Sequence, residues 1–311
     1  MPLRDELAKM PLTIDRDNDE MICLHTVKNA NSFCDDQIID VTFEKRFGMK
    51  VILHSDDFGY DKDTVEATID CFERGALSSA SVMVNCEASE EAFAYAKRHP
   101  EFSFGVHLTY VDGLKPVLPP KQIPALVDSN GAFLPSNTVR KLAMMMKLPK
   151  TQVIAESQAQ IDKMEKAGVK VSHLDSHGHL HKFLSFLYVM KFLNVGGVIP
   201  VEKVRASQNV YVVQPSKVSL VYWLNKYFNW YLRKNFRNPE FFYMSANNMD
   251  IGWADAVLSE MDRLPQDAVI EIGVHPGHTE KWRQNEYDDI IEFATKLRAS
   301  GKHDIINWNQ I

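Results

Sequence analysis

From Met49 onward, short apolar runs with the length of buried strands alternate with segments of helical period, and this alternation constrains the fold more than any other feature. KVILHS (50–55) is a buried-strand run. The segment after it, DKDTVEATIDCFERG, puts Val65, Ile69 and Phe72 on one helical face and Gly75 where a helix would end. LSSASVMV (77–84), FSFGVHLT (102–109), VSHLD (171–175), VEKVRA (201–206) and AVIEIGVH (268–275) read as further strands. Helices are expected over 88–99, 151–168, 182–193, 254–264 and 285–300, and the five prolines between Tyr110 and Ser136 mark a loop. Strands buried on both faces and each followed by a helix require a parallel α/β sheet, open or closed into a barrel. The expectation is one α/β domain with insertions.

Charge and composition narrow the function classes. The chain has 311 residues and a formal net charge of −6, without the basic footprint of a nucleic-acid binder. No run approaches the roughly 20 apolar residues that would span a bilayer. The N-terminus, MPLRDELAKMPLTIDRDNDE, carries charges where a secretory signal needs an apolar core, so the expected location is the cytoplasm. The four cysteines include no CxxC pair and read as reduced and structural. Residues 1–48 lack clear periodicity and read as a loosely packed extension, with the working domain over 49–311.

Polar residues gather where each strand ends. His54-Ser55-Asp56-Asp57 follows KVIL, His107 follows FSFGV, His173, His177, His179 and His181 attend the 171–175 strand, and His275 follows AVIEIGV. In parallel α/β architectures the carboxyl ends of the strands share one face, where active sites are built. Carboxylates and imidazoles converging there are the signature of a metal-assisted hydrolytic site. Each piece alone has a plainer reading. Asp56 and Asp57 could begin a helix, His107 could be a hydrogen-bonded core histidine, and His275-Pro276-Gly277-His278 could be a turn. Four imidazoles within 173–181 are harder to dismiss, because they repel when charged and are costly to bury unpaired. The aromatic segment 217–237 reads as a helix that packs on the body or on a second subunit, with sugar stacking or lipid contact as the other options. Met144, Met145 and Met146 read as core filler.

The motifs HSDDFG (54–59), the Ser78-Ser79 strand, FGVHLT (104–109), SHLDSHGHLH (172–181) and GVHPG (273–277) resemble, in order, those of the YdjC-like carbohydrate deacetylases, which include chitooligosaccharide deacetylases. The resemblance covers about residues 49–310 and implies a (β/α) barrel of the polysaccharide-deacetylase kind. It implies removal of acetyl groups from N-acetylated sugars, with Asp57, His107 and His177 as metal ligands, Asp56 as general base and His275 as candidate acid. Asp175, His179 and His181 would support or line the site, and no organic cofactor is implied. The resemblance points to magnesium, whereas imidazole-rich ligation favours zinc or another transition ion. It also implies a homodimer as the assembly. His54 departs from the family pattern, which often has a small or amide residue there. The rival readings are a metal-dependent phosphoesterase and a sugar-binding protein without turnover. Against the phosphoesterase, the sequence has no G-x-x-x-x-G-K-[ST] loop and no basic cluster beside the histidines.

Overall fold

The computed structural model describes residues 48–212, 220–245 and 252–311. Apart from Gly48, the expected N-terminal extension lies outside the described residues, as do Cys23 and Cys34. The strands are β1 (Lys50–Phe58), β2 (Ser79–Val82), β3 (Ser103–Leu108), β4 (Val171–Ser176), β5 (Asn194–Val195), β6 (Ile199–Pro200), β7 (Phe241–Met244), β8 (Val269–Val274) and β9 (Asp304–Ile306). The helices are α1 (Lys62–Glu73), α2 (Ser89–Arg98), α3 (Ser136–Met144), α4 (Lys150–Lys166), α5 (Leu184–Leu187), α6 (Leu220–Asn235), α7 (Ala254–Met261) and α8 (Lys281–Ser300).

The main sheet is parallel throughout, in the order β4-β3-β2-β1-β8-β7, with β9 sharing one edge of β1. Residues 203–205 join its two ends. Leu174 N donates to Lys203 O and Arg205 N to Leu174 O, while Val204 N donates to Arg237 O just ahead of β7. The strand expected over 201–206 is therefore a pair of single parallel bridges, because its few backbone groups are divided between two neighbours. They curl the sheet into a (β/α) barrel.

Strand alternation divides the barrel's two faces. Val51 and Leu53 join the large apolar cluster under the helices, while Ile52 turns inward to meet Ile306 and Trp308. Above that small plug the interior is polar. His54, Asp56, Ser79, Ser81, His107, His173, Asp175, Arg205 and Glu271 are all buried there. Trp308 stacks on His173 at 4.3 Å and donates from Nε1 to Glu271.

Two elements depart from expectation. The helix expected over 182–193 is only the short α5 and a 3-10 turn at Met190–Phe192, since this apolar run has no polar face for solvent and packs in short pieces. Met145 and Met146 do not fill the core. They stand exposed where α3 ends and the chain turns through a positive φ at Met146.

Gly105 lies under the His173 ring, and a Cβ there would approach Cε1 to 2.5 Å. Trp308 holds that ring from its other side, so it cannot retreat. Gly105→Ala is expected to cost about 1–3 kcal/mol in a urea-unfolding titration.

Candidate metal centre

Adjacent residues of a regular strand point to opposite faces, yet Asp56 and Asp57 both serve one mouth. The register of β1 against β2 shifts between Ser55 and Phe58, and Asp57 takes a left-handed φ of 58°. Such a conformation costs a residue with a side chain roughly 1–3 kcal/mol and is held only where the surroundings enforce it. Here they do. His177 Nδ1 lies 2.9 Å and His107 Nε2 3.3 Å from Asp57 Oδ1, and Arg283 donates to Oδ2 at 2.8 Å. Burial works against the Asp57 charge, but His177 and His107 hold its carboxyl well below the usual range.

The ligand atoms of Asp57, His107 and His177 lie within 4.8 Å of one another. Two more groups of that kind share Asp175, namely His54 with His173 and Asp56 with His107. They differ in access and charge. Arg205 lies 2.6 Å from Asp175 Oδ2, which places a fixed cation where a metal would have to sit. The Asp57 group instead reaches solvent through His177, whose side chain is 30% exposed. One carboxylate and two imidazoles form a donor set that fits a divalent ion and leaves positions for water and substrate. Asp175 Oδ1 stands 2.9 Å from His107 Nδ1, which turns Nε2 toward Asp57. Burial opposes a charge on His107, but Asp175 and Asp56 raise it to about 10, so an incoming ion would displace a proton.

Asp56 and His275 complete the mouth. Both oxygens of Asp56 accept from Arg205 Nη1, at 2.7 and 2.9 Å. His275 Nε2 lies 3.8 Å from Asp56, and its Nδ1 faces Glu286 at 3.1 Å. Burial disfavours the imidazolium of His275, yet Glu286 raises its pKa above the ordinary value. His181 is locked by Ser176 and lowered to about 3 by burial, and burial likewise lowers His179. Both are neutral side chains along the wall.

Sequence reasoning missed Arg205, Glu271, Arg283 and Glu286. Glu271 carried a signal, being a charged residue inside the otherwise apolar run AVIEIGV, whereas Arg205 shares VEKVRA with Glu202 and Lys203 and did not stand out. Arg283 and Glu286 sit in an ordinary polar helix and gave none. The expected lack of a basic cluster near the histidines also needs correction, since Lys182 directly follows His181 and the fold brings in Arg140, Arg205 and Arg283 from elsewhere in the chain. Arg205 and Arg283 are occupied by carboxylates. Arg140 donates to Gly178 O, and burial together with Arg140 lowers Lys182 to about 8.

Arg205 also bonds Glu271, which makes it the shared cation of three buried carboxylates. Arg205→Met is expected to cost about 3–5 kcal/mol of unfolding free energy, measured with urea, because it leaves buried charges uncompensated.

Comparison with known proteins agrees with this frame. Two curated proteins called carbohydrate deacetylase match about half of the chain. One, from Brevibacillus brevis, is 33% identical over 46% of this chain and 54% of its own. The other, from Geobacillus stearothermophilus, is 30% identical over 50% of this chain and 60% of its own. The chain thus spans a little over half the length of these relatives. A crystal structure from Enterococcus faecalis V583, provisionally described as a cellobiose-phosphate cleavage protein, has the same fold, with a TM-score of 0.68 and 23% identity over 85% of this chain and 98% of that one. A family model for YdjC-like protein matches residues 50–301. Because that match runs from β1 through α8, the chain belongs to the YdjC-like family.

Proposed function

We propose that this protein is a metal-dependent hydrolase that removes acetyl from an N-acetylated sugar or short oligosaccharide. The observation that carries the reading is one mouth holding three groups: Asp57, His107 and His177; Asp56 on Arg205; and His275 on Glu286. The names of the Brevibacillus and Geobacillus relatives supply the substrate class.

A divalent ion held by Asp57, His107 and His177 would lower the pKa of a water and polarise the acetamide carbonyl. Asp56 accepts the proton of the attacking water, and Arg205 fixes the direction of its carboxylate. His275 donates a proton to the departing amine, with Glu286 setting its tautomer. Arg283 holds the second oxygen of Asp57 and so orients the carboxylate. Two imidazole donors support zinc or another transition ion, while resemblance to the family supports magnesium. The free thiols of Cys71 and Cys86 support a reducing compartment such as the cytoplasm. A phosphoesterase reading draws on Arg140 and Lys182, which pair with no carboxylate among the described residues.

Metal-stripped protein is to be titrated with magnesium, manganese, cobalt and zinc by calorimetry, with acetate release from N-acetylglucosamine and chitooligosaccharides assayed alongside. Asp57→Ala and His177→Ala are expected to weaken binding of the active ion by at least about 100-fold and to abolish release. Asp56→Asn should keep ion affinity while kcat falls about 10²–10⁴-fold. Tight ion binding with no acetate released from these sugars, but phosphate released from a sugar phosphate assayed beside them, would replace the deacetylase reading with the phosphoesterase.

The acid role of His275 has its own test. A general acid works only when protonated, so activity falls as pH rises through its pKa. Glu286→Gln removes the carboxylate that raises this pKa. The alkaline limb of the kcat/KM profile should therefore move to lower pH, and an unmoved limb would assign the acid elsewhere.

A further inference from the structure

Charge is unevenly distributed along this chain. Between Asp175 and Glu240 the one carboxylate is Glu202, against nine Lys and Arg, and between Asp128 and Glu156 there are four Lys and Arg and no carboxylate. The whole chain nevertheless carries −6. Contacts bring the two acid-poor stretches together, since Ser185 donates to Ala143 O and Lys150 Nζ lies 3.6 Å from the Phe192 ring centre.

The same region displays apolar side chains. Residues at i, i+4 and i+7 of a helix share a face, and on α6 these are Trp223 (59% exposed), Tyr227 and Trp230 (55% exposed). Phe228 and Leu232 bury the other face against the body. Tyr188 links the pieces. Its hydroxyl bonds that of Tyr227 at 2.6 Å, its ring meets Tyr231, and it lines a cleft with Met146, Lys147 and Lys150. Exposed Phe192, Met145 and Met146 thus extend the aromatic face. Lysines ride on its rings, with Lys226 Nζ 5.2 Å from the Trp223 ring centre and Lys234 Nζ 5.2 Å from that of Trp230.

We propose that this face binds the surface of an anionic lipid bilayer. Tryptophan and tyrosine settle at the headgroup level, and lysines beside them reach for anionic headgroups. A second copy of this chain would set the cationic patch against itself. A bilayer with negative headgroups complements both its apolar and its charged parts. None of the described helices is long and apolar enough to cross a membrane, so the contact is peripheral. Phe228 of α6 packs on Phe183, directly after the His177–Lys182 turn. Bound this way, the protein holds the rim of its metal centre beside the lipid. The inference does not depend on the deacetylase reading.

The test is cosedimentation of the full chain with large vesicles of phosphatidylcholine alone and of phosphatidylcholine with about one third phosphatidylglycerol, a composition set to give a negative surface. Binding is expected on the anionic vesicles only. It should weaken with added salt and be accompanied by a blue shift of tryptophan fluorescence. Lys226→Glu with Lys234→Glu, and separately Trp223→Ser with Trp230→Ser, should each lower partitioning about tenfold or more. Circular-dichroism melts of both variants should match the parent, which separates a lost surface from a lost fold. Equal binding to neutral and anionic vesicles, no binding at low salt, or unchanged binding by folded variants would overturn the proposal. So would a dimer in light scattering that the tryptophan variant turns into monomer while the parent ignores vesicles, since a second copy would then own the face.

Discussion

The Arg205 guanidinium sits inside the barrel against Asp56, Asp175 and Glu271, and the rest of the site is arranged around that contact. Burying a cation and three carboxylates is unfavourable unless each is closely paired, because every ion leaves behind several kcal/mol of hydration. The strands supply the pairing. Asp56 comes from β1, Asp175 from β4, Glu271 from β8, and Arg205 from the residues that bridge β4 toward β7. The same bridging residues that curl the sheet therefore carry the cation to all three carboxylates. Glu271 shows how tight the balance is. Burial lifts its carboxyl to about 7 even though Arg205 pulls it down.

From that centre the order spreads outward. With Asp175 held, its other oxygen faces His107 Nδ1, and with His107 oriented, Nε2 faces Asp57. Asp57 can occupy its left-handed conformation because His177 and Arg283 hold both of its oxygens. Below, Trp308 and His173 seal the interior by stacking and leave the mouth above as the wet end. The proposed chemistry needs this division. A base must keep its direction, and an acid must keep its proton near a surface that substrate can reach.

Much of this was legible before any coordinates. The helix over 151–168 carries a periodic signal, and the strands that lead to Asp57 and His275 were legible because a strand buried on both faces reads as a nearly uninterrupted apolar run. The aromatic helix expected over 217–237 is α6 (Leu220–Asn235), with 217–219 outside the described residues, and the direction of its tryptophans was not legible. Periodicity shows that a helix has a wide apolar face without saying how much of that face its neighbours cover. Met145 and Met146 show the same limit, since hydrophobicity alone does not tell a core position from an exposed helix end. The 182–193 segment was misread because an apolar run without a polar side looks the same whether it forms one helix or several short turns.

The sequence alone determined the alternating α/β plan, the placing of acid and imidazole at strand ends, and the family motifs that join them, since all three are local in the chain. Tertiary structure decided what those groups do to one another. Arg205 lies 149 residues from Asp56, and Arg283 lies 226 residues from Asp57. Pairings across such separations follow from barrel closure and strand register, which no local pattern encodes. It also decided which of three overlapping His and Asp groups is open to an ion, because a fixed guanidinium beside Asp175 and solvent beside His177 arise only once the ring has closed.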